Sequence, residues 1–304
     1  MYRAPEGYTP ELCIYHHPCA DGFTAAWAIQ LRWPDCEMQP GKYQADSLPD
    51  VAGKHVLLVD FSYKPDDLMQ IVSEAASVTI LDHHESAQRL LEPMIEDGTI
   101  KGVFDMTKSG AALAWEFAYG DDVTAFTRSF GVTESDRLPD LVRYIQDRDL
   151  WTWELPSSKE ISAWLGLTPM TFKAWSDAAV RLSMVETFDI AVDIGRALCK
   201  KFDSDLAGAI KASKRRMTIG GYDVPVANLP YIYASEGGNI MSKGEPFAAI
   251  YFDAADGSRS FSLRSDKDDP SAVNVSLVAG EFGGGGHKNA AGFRAPSGWE
   301  GDVN

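Results

Sequence analysis

Apolar positions in the first hundred residues fall into short continuous runs, separated by amphipathic stretches long enough to be helices. The pattern predicts a strand at Leu12–Tyr15, a helix from Gly22 to Trp33, a strand at Val56–Asp60, a helix over Pro65–Ala76 and a strand at Val78–Leu81. Runs such as Val56-Leu57-Leu58-Val59, apolar on both faces and joined by helix-length connections, call for a parallel sheet covered on both sides. Open sheets of this kind gather their polar groups at the carboxyl edge. Helical periodicity returns over 109–119 and 138–146, and the tryptophan-rich tract 151–175 reads as helices and turns of the same domain. A long helical stretch over 187–217 ends at Gly220-Gly221, after which the texture becomes β: YDVPVANL, then FAAIYFD and SRSFSLRS around the turn Ala254-Ala255-Asp256-Gly257. A helical segment at 271–282 leads into four glycines, His287 and a last apolar run. The expected fold class is α/β. An N-terminal domain (1–190) carries a parallel sheet covered by helices on both faces, and a helical linker (191–217) joins it to a smaller α/β C-terminal domain (218–304).

Composition narrows the function. Among 304 residues, 28 Lys and Arg face 44 Asp and Glu, a formal charge of −16, and 45% of residues are hydrophobic. That excludes a disordered or fibrous chain. It also argues against tracking long duplex nucleic acid, because each phosphate contact needs a cation and the longest basic run is Lys214-Arg215-Arg216. The cysteines at 13, 19, 36 and 199 form neither zinc-ribbon pairs nor a disulfide framework, which suits a reducing compartment. No run approaches 18 apolar residues and the first residues lack a secretory layout, so a cytoplasmic protein without a membrane segment is expected.

Five of the six histidines lie in three tight clusters. His16 and His17 precede Cys19 and Asp21 where the first strand meets the first helix; Asp60 ends the second strand; Asp82, His83 and His84 end the third. Each residue alone admits a structural explanation, as a helix cap or a bonded turn residue. Together, three parallel strands deliver carboxylate and imidazole to one sheet edge, which is how an O/N metal site is assembled from distant sequence. Adjacent imidazoles after a buried strand repel when charged, and a cation that keeps them neutral removes the conflict. Without paired thiolates the donors suit Mn²⁺, with Mg²⁺ as the alternative, and their number leaves room for two ions. Asp147 and Asp149, at a helix end, are further carboxylate candidates. The late segment Gly283 to His287, with Gly284, Gly285 and Gly286 beside His287 and Lys288, reads as an anion cradle, supported by Arg264 on a nearby predicted strand.

In these motifs, His16 through Asp21-Gly22, then Asp60, then Asp82-His83-His84, then GGGGHKNAAGF, the chain resembles the DHH phosphoesterases that carry the DHH-associated C-terminal domain, over residues 12–294. The resemblance implies a hydrolase with a dinuclear manganese centre in its first domain and phosphate or nucleotide recognition in its second. Carried over by motif, His16 and Asp60 would bind one ion, and Asp21, Asp60, His83 and Asp147 the other, with Asp60 bridging. His84, Asp60 and Asp82 become the candidate catalytic residues; His84, Arg264, Gly284, Gly285, Gly286 and His287 the substrate-binding ones; His17, Asp149 and Lys288 secondary ones. Cys19 stands where many relatives have aspartate, and a thiolate there would be a softer ligand. The function this implies is hydrolysis of short oligonucleotides or dinucleotides to mononucleotides. The alternatives are hydrolysis of polyphosphate, pyrophosphate or 3′-phosphoadenosine 5′-phosphate, and a catalytically weak nucleotide sensor. The expected partner is a short phosphate-bearing substrate; a homodimer is compatible with the sequence.

Overall fold

The structure is a computed structural model that describes residues 2–41, 48–120 and 138–302. The chain divides into two compact units, Met1–Cys199 and Lys200–Asn304.

Among the described residues of the first unit is a parallel five-stranded sheet in the order β2-β1-β3-β4-β5, built from β1 (Leu12–His16), β2 (Glu37–Gly41), β3 (His55–Val59), β4 (Ser77–Asp82) and β5 (Lys101–Phe104). The three central strands are those the apolar runs predict. Both edge strands escape that reading, since Glu-Met-Gln-Pro-Gly and Lys-Gly-Val-Phe are largely exposed or half-buried and have no continuous apolar run. Side-chain alternation divides the sheet between two cores. Cys13, Tyr15, Leu57, Val59 and Leu81 face α1 (Ala20–Arg32), and α4 (Gly110–Tyr119) packs on the same side. Leu12, Ile14, Val56, Leu58, Val78 and Ile80 face Leu68 and Ile71 of α2 (Pro65–Glu74) and Leu91 of α3 (Glu85–Glu96). Helices thus cover both faces.

The tryptophan-rich tract follows α5 (Asp140–Asp149) and contains α6 (Ser158–Leu165) and α7 (Phe172–Leu182). It docks on α1 through buried polar handles: Trp175 Nε1 donates to Thr24 Oγ1 at 2.8 Å and Trp27 Nε1 donates to Ser176 Oγ at 3.0 Å.

Helix α8 (Val185–Ser213) carries the chain into the second unit. It stops four residues short of the predicted end. Arg215–Ile219 instead forms β6, which turns back into β7 (Tyr222–Asn228) through Gly220-Gly221, both with positive φ (59° and 78°), the two-residue hairpin that only such residues close cheaply. With β8 (Ala248–Asp253), β9 (Arg259–Arg264), β10 (Gly285–His287) and β11 (Ala290–Ala295) these strands form a mixed sheet ordered β10-β11-β9-β8-β7-β6. One face packs on α10 (Val275–Glu281), the other on α9 (Ala234–Ser242) and Leu206 of α8. No helix among the described residues is long and apolar enough to cross a membrane.

Candidate metal centre

The carboxyl edge of the first sheet gathers the residues that its strand ends lead toward. His16 closes β1, Asp60 follows β3, and Asp82 closes β4 with His83 and His84 just beyond. Asp60 adopts a left-handed backbone (φ 52°), unusual outside glycine although aspartate tolerates it better than most, and such local strain persists only where the surroundings hold it. Here the imidazoles hold it: His83 Nε2 lies 3.0 Å from Asp60 Oδ1 and His16 Nδ1 3.3 Å from Asp60 Oδ2.

Two helices add acids to this edge. Asp21 sits in the first turn of α1, wholly buried, and accepts from the backbone N–H groups of Gly110 at 2.6 Å and Ala111 at 3.0 Å, where α4 begins. This approach is close. A Cβ on Gly110 would stand 2.4 Å from Asp60 Cβ, and one on Gly22 would stand 2.4 Å from the His16 carbonyl oxygen, so both positions need glycine. From the end of α5, Asp149 brings Oδ2 to 3.6 Å from His83 Nε2, matching the 3.6 Å of Asp21 Oδ2. One imidazole nitrogen therefore faces three carboxylates.

Asp147 does not join them. Its carboxylate is turned into the loop after α5, where it accepts from Thr152 Oγ1 and from the N–H groups of Glu154 (2.9 Å) and Leu155 (3.2 Å). The expected ligand Asp147 is thus a turn anchor, and Asp149, two residues on along the helix end, takes its place at the cluster. Asp82 is similarly committed. It accepts from Ser62 Oγ (2.6 Å), His83 N–H (2.7 Å) and His84 N–H (3.2 Å), and pairs with His84 Nδ1 at 2.6 Å, so its carboxylate fixes the His84 ring. His17 packs edge-on against Tyr15 and belongs to none of the donor groups. Cys19 caps α1, half-buried. Burial, together with Asp60, Asp149 and Asp21, pushes its thiol up, which shows that it shares their neighbourhood.

The electrostatics are those of a site short of positive charge. Burial pushes the Asp21 carboxyl well above its ordinary range, and Asp149 and Asp60 push it further. Burial opposes charge on Asp60 as well, but hydrogen bonds from His16 and His83 and the charge of His84 hold it far below. Burial would depress both histidines, yet the bond to Asp60 and the fields of Asp149, Asp60 and Asp21 hold His83 at about 10, and Asp82 with Asp60 holds His84 at about 9. The donor chemistry fits divalent cations. Among the described residues, His16, Asp60 and His84 form one group, and Asp21, His83 and Asp149 another, each with its donor atoms within 4.8 Å of one another. Gly110, Ala111 and Ser62 went unread in the sequence. The Ser-Gly-Ala-Ala start of α4 has a small-residue signature, but nothing local ties it to an aspartate 89 positions away.

In the second unit, Arg264 ends β9 and donates through Nη2 to Ser235 Oγ at 3.0 Å and through Nη1 to the Leu263 carbonyl at 2.8 Å. The expected glycine cradle is mostly strand: Gly285, Gly286 and His287 form β10, paired with Gly292, Ala291 and Ala290 of β11. Its glycines are demanded by packing. A Cβ on Gly284 would stand 2.0 Å from the Gly292 carbonyl oxygen, and Gly286 has φ 140°. Lys288 is exposed, and its carbonyl accepts from Val275 N–H at 2.8 Å.

Comparison with known proteins agrees with this architecture. No family model matches the chain. Among solved structures, the DHH domain of a member of the s1p family of ribosomal proteins superposes with a TM-score of 0.56 at 13% identity, over 95% of this chain and 83% of that one. The chain has the fold of that DHH domain. An uncharacterised protein of Acanthamoeba polyphaga mimivirus is 27% identical over 314 residues, 93% of this chain and 67% of that protein. Oligoribonuclease NrnB of Bacillus subtilis is 25% identical over 232 residues, 74% of this chain and 54% of its own length. The chain thus matches about half to two thirds of the length of these relatives. Within the DHH fold, the tripeptide Asp82-His83-His84 divides its work: His83 faces the acids, while Asp82 steadies His84.

Proposed function

We propose that this protein is a divalent-metal-dependent phosphodiesterase that cleaves short oligonucleotides or dinucleotides to mononucleotides, with manganese as its preferred ion. The observation that carries the reading is the convergence of Asp21, Asp60 and Asp149 on His83 Nε2 at 3.6, 3.0 and 3.6 Å, beside His16 and His84. The likeness to an oligoribonuclease over three quarters of the chain supports the substrate class. Asp21, His83 and Asp149 would hold one ion and His16, Asp60 and His84 another. When bound, divalent ions polarise a phosphoryl oxygen and acidify water. The chain's own residues do the positioning. Asp60, paired with both His16 and His83, ties the two groups together, and the N–H groups of Gly110 and Ala111 fix the Asp21 carboxylate. Asp82 holds the plane of the His84 ring, which would meet a phosphate oxygen of the substrate. Arg264 and His287 of the second unit would recognise phosphate. With −16 net charge, a substrate of few phosphates suits the chain better than a long one.

The test is incubation of purified protein and MnCl₂ with a panel of dinucleotides, a cyclic dinucleotide, 3′-phosphoadenosine 5′-phosphate and polyphosphate, with chromatography of the products. Release of mononucleotides from the dinucleotides, abolished by EDTA, is the expected result. Hydrolysis confined to polyphosphate, or turnover that persists in chelator, overturns the reading.

A further inference from the structure

Beyond the acid and histidine cluster, the turn after α5 has features the chemistry above leaves unused. Trp151 and Trp153 both adopt left-handed backbone, φ 58° and 56°, a conformation bulky residues take only when their surroundings enforce it. The enforcement comes from Asp147, whose carboxylate accepts from Thr152 Oγ1, Glu154 N–H and Leu155 N–H. The two indoles meet edge to face with centroids 5.1 Å apart. Arg148 lays its guanidinium 4.5 Å from the centroid of Trp151 and 5.3 Å from that of Trp153, and Lys159 brings Nζ to 5.5 Å from Trp153.

Trp27, Trp115 and Trp175 are core residues, almost wholly buried. Trp151 and Trp153 are only half-buried, and Lys159, exposed on α6, makes no ion pair among the described residues. Two cations, Arg148 and Lys159, thus gather on two partly accessible aromatic rings. The turn also adjoins the metal centre along the chain, because Asp149, between Arg148 and Trp151, reaches to 3.6 Å from His83. A ring face flanked by cations suits an aromatic heterocycle attached to phosphate: the ring stacks, the cations answer the phosphate, and every base offers a π-face.

We infer that Arg148, Trp151, Trp153 and Lys159 form a nucleobase-binding platform, with Trp153 the residue that gives preference for a base-bearing phosphate. The inference rests on the nucleotide reading above and names residues that reading does not use. Removing an aromatic ring that stacks on a base costs roughly 5- to 150-fold in affinity.

The experiment is calorimetric titration of the full-length protein with AMP and with ribose 5-phosphate, using wild type, Trp153→Ala, Trp153→Phe and Trp153→Leu. Wild type should bind AMP at least about tenfold more tightly than ribose 5-phosphate. Trp153→Ala and Trp153→Leu should lose most of that preference, and Trp153→Phe should keep it. Leucine retains apolar bulk without a π-face, so if the alanine variant fails to fold, the Phe and Leu pair still decides. Equal binding of the two ligands by wild type, or a preference kept by Trp153→Leu, overturns the platform. Failure of the phosphodiesterase reading is seen separately, as absence of dinucleotide turnover by wild type with MnCl₂, and leaves the AMP preference measurable.

Discussion

Asp60 joins the two donor groups, since it pairs with both His16 and His83 while its own backbone is left-handed. Asp60→Ala should therefore reduce kcat/KM by at least about 100-fold, the upper end of what loss of an outer partner costs, and lower the metal stoichiometry measured on the purified protein. A wild-type rate with full metal content would remove Asp60 from the centre. The histidines make a prediction of their own. Held at about 10 and about 9, His83 and His84 are protonated in the metal-free protein at neutral pH, whereas a metal ligand imidazole must be neutral. Metal uptake at pH 7.5 should release protons, seen as a binding enthalpy that shifts with the ionisation enthalpy of the buffer, and affinity should rise toward pH 9. A buffer-independent enthalpy would contradict this. In the metal-free fold, the raised pKa values of His83 and His84 stabilise the protein fully below about pH 6.5, and that benefit is lost as pH rises through 9 to 10. Asp60 and Asp82, held below the ordinary carboxylate value, stabilise above about pH 4 and lose that effect on acidification. Chelated protein should melt at its highest temperature between these limits.

Which strands form, and what stands at their ends, was readable because β1, β3 and β4 are buried on both faces and so consist of nearly continuous apolar residues. Their termini, His16, Asp60 and Asp82-His83-His84, inherit one sheet edge from topology alone. The helix-borne contributors were harder. Asp147 and Asp149 sit at the end of one helix, and only the turn chemistry of Thr152, Glu154 and Leu155, closed around Asp147, assigns the outward position to Asp149. Substitutions separate the two. Asp149→Ala should lower metal affinity, whereas Asp147→Asn, which still accepts through its amide oxygen, should bind metal nearly as wild type, and Asp147→Ala should cost about 1–3 kcal/mol of stability in a denaturant melt. Loss of metal in Asp147→Asn would restore Asp147 as a ligand. The glycine run was legible as unusual but not for its reason: Gly284 lies against the Gly292 carbonyl and Gly286 at φ 140°, so the run closes a strand onto β11. Gly284→Ala should lower the melting temperature, and an unchanged melt would mean that the backbone shifts freely there.

Among the described residues each unit has its own cores, two in Met1–Cys199 and two in Lys200–Asn304, and the candidate residues divide along the same line. The donor atoms of the Asp21, His83, Asp149 and His16, Asp60, His84 groups lie within residues 16–149, while Arg264 and His287 belong to the sheet of the second unit. On the proposed function, a substitution in the second unit would weaken phosphate recognition while leaving the Asp21, His83, Asp149 and His16, Asp60, His84 groups intact. Charge-assisted hydrogen bonds to phosphate are worth about 1.5–3 kcal/mol, so Arg264→Ala or His287→Ala should lower kcat/KM on a dinucleotide by roughly 10- to 150-fold. Metal content should stay at the wild-type level in Arg264→Ala, because Arg264 belongs to none of the metal-capable donor groups among the described residues. Arg264 also bonds Ser235 and Leu263 within its own unit, so its removal calls for a melt alongside the kinetics, and Arg264→Lys tests charge without the fork. A small chromogenic phosphodiester, with one phosphate and no second nucleotide, should lose less than the dinucleotide in both variants, whereas Asp60→Ala should abolish turnover of either substrate. Equal losses on the two substrates would move Arg264 and His287 into the chemistry or the folding of the protein. No loss on either would leave the β10 and β11 hairpin as architecture alone.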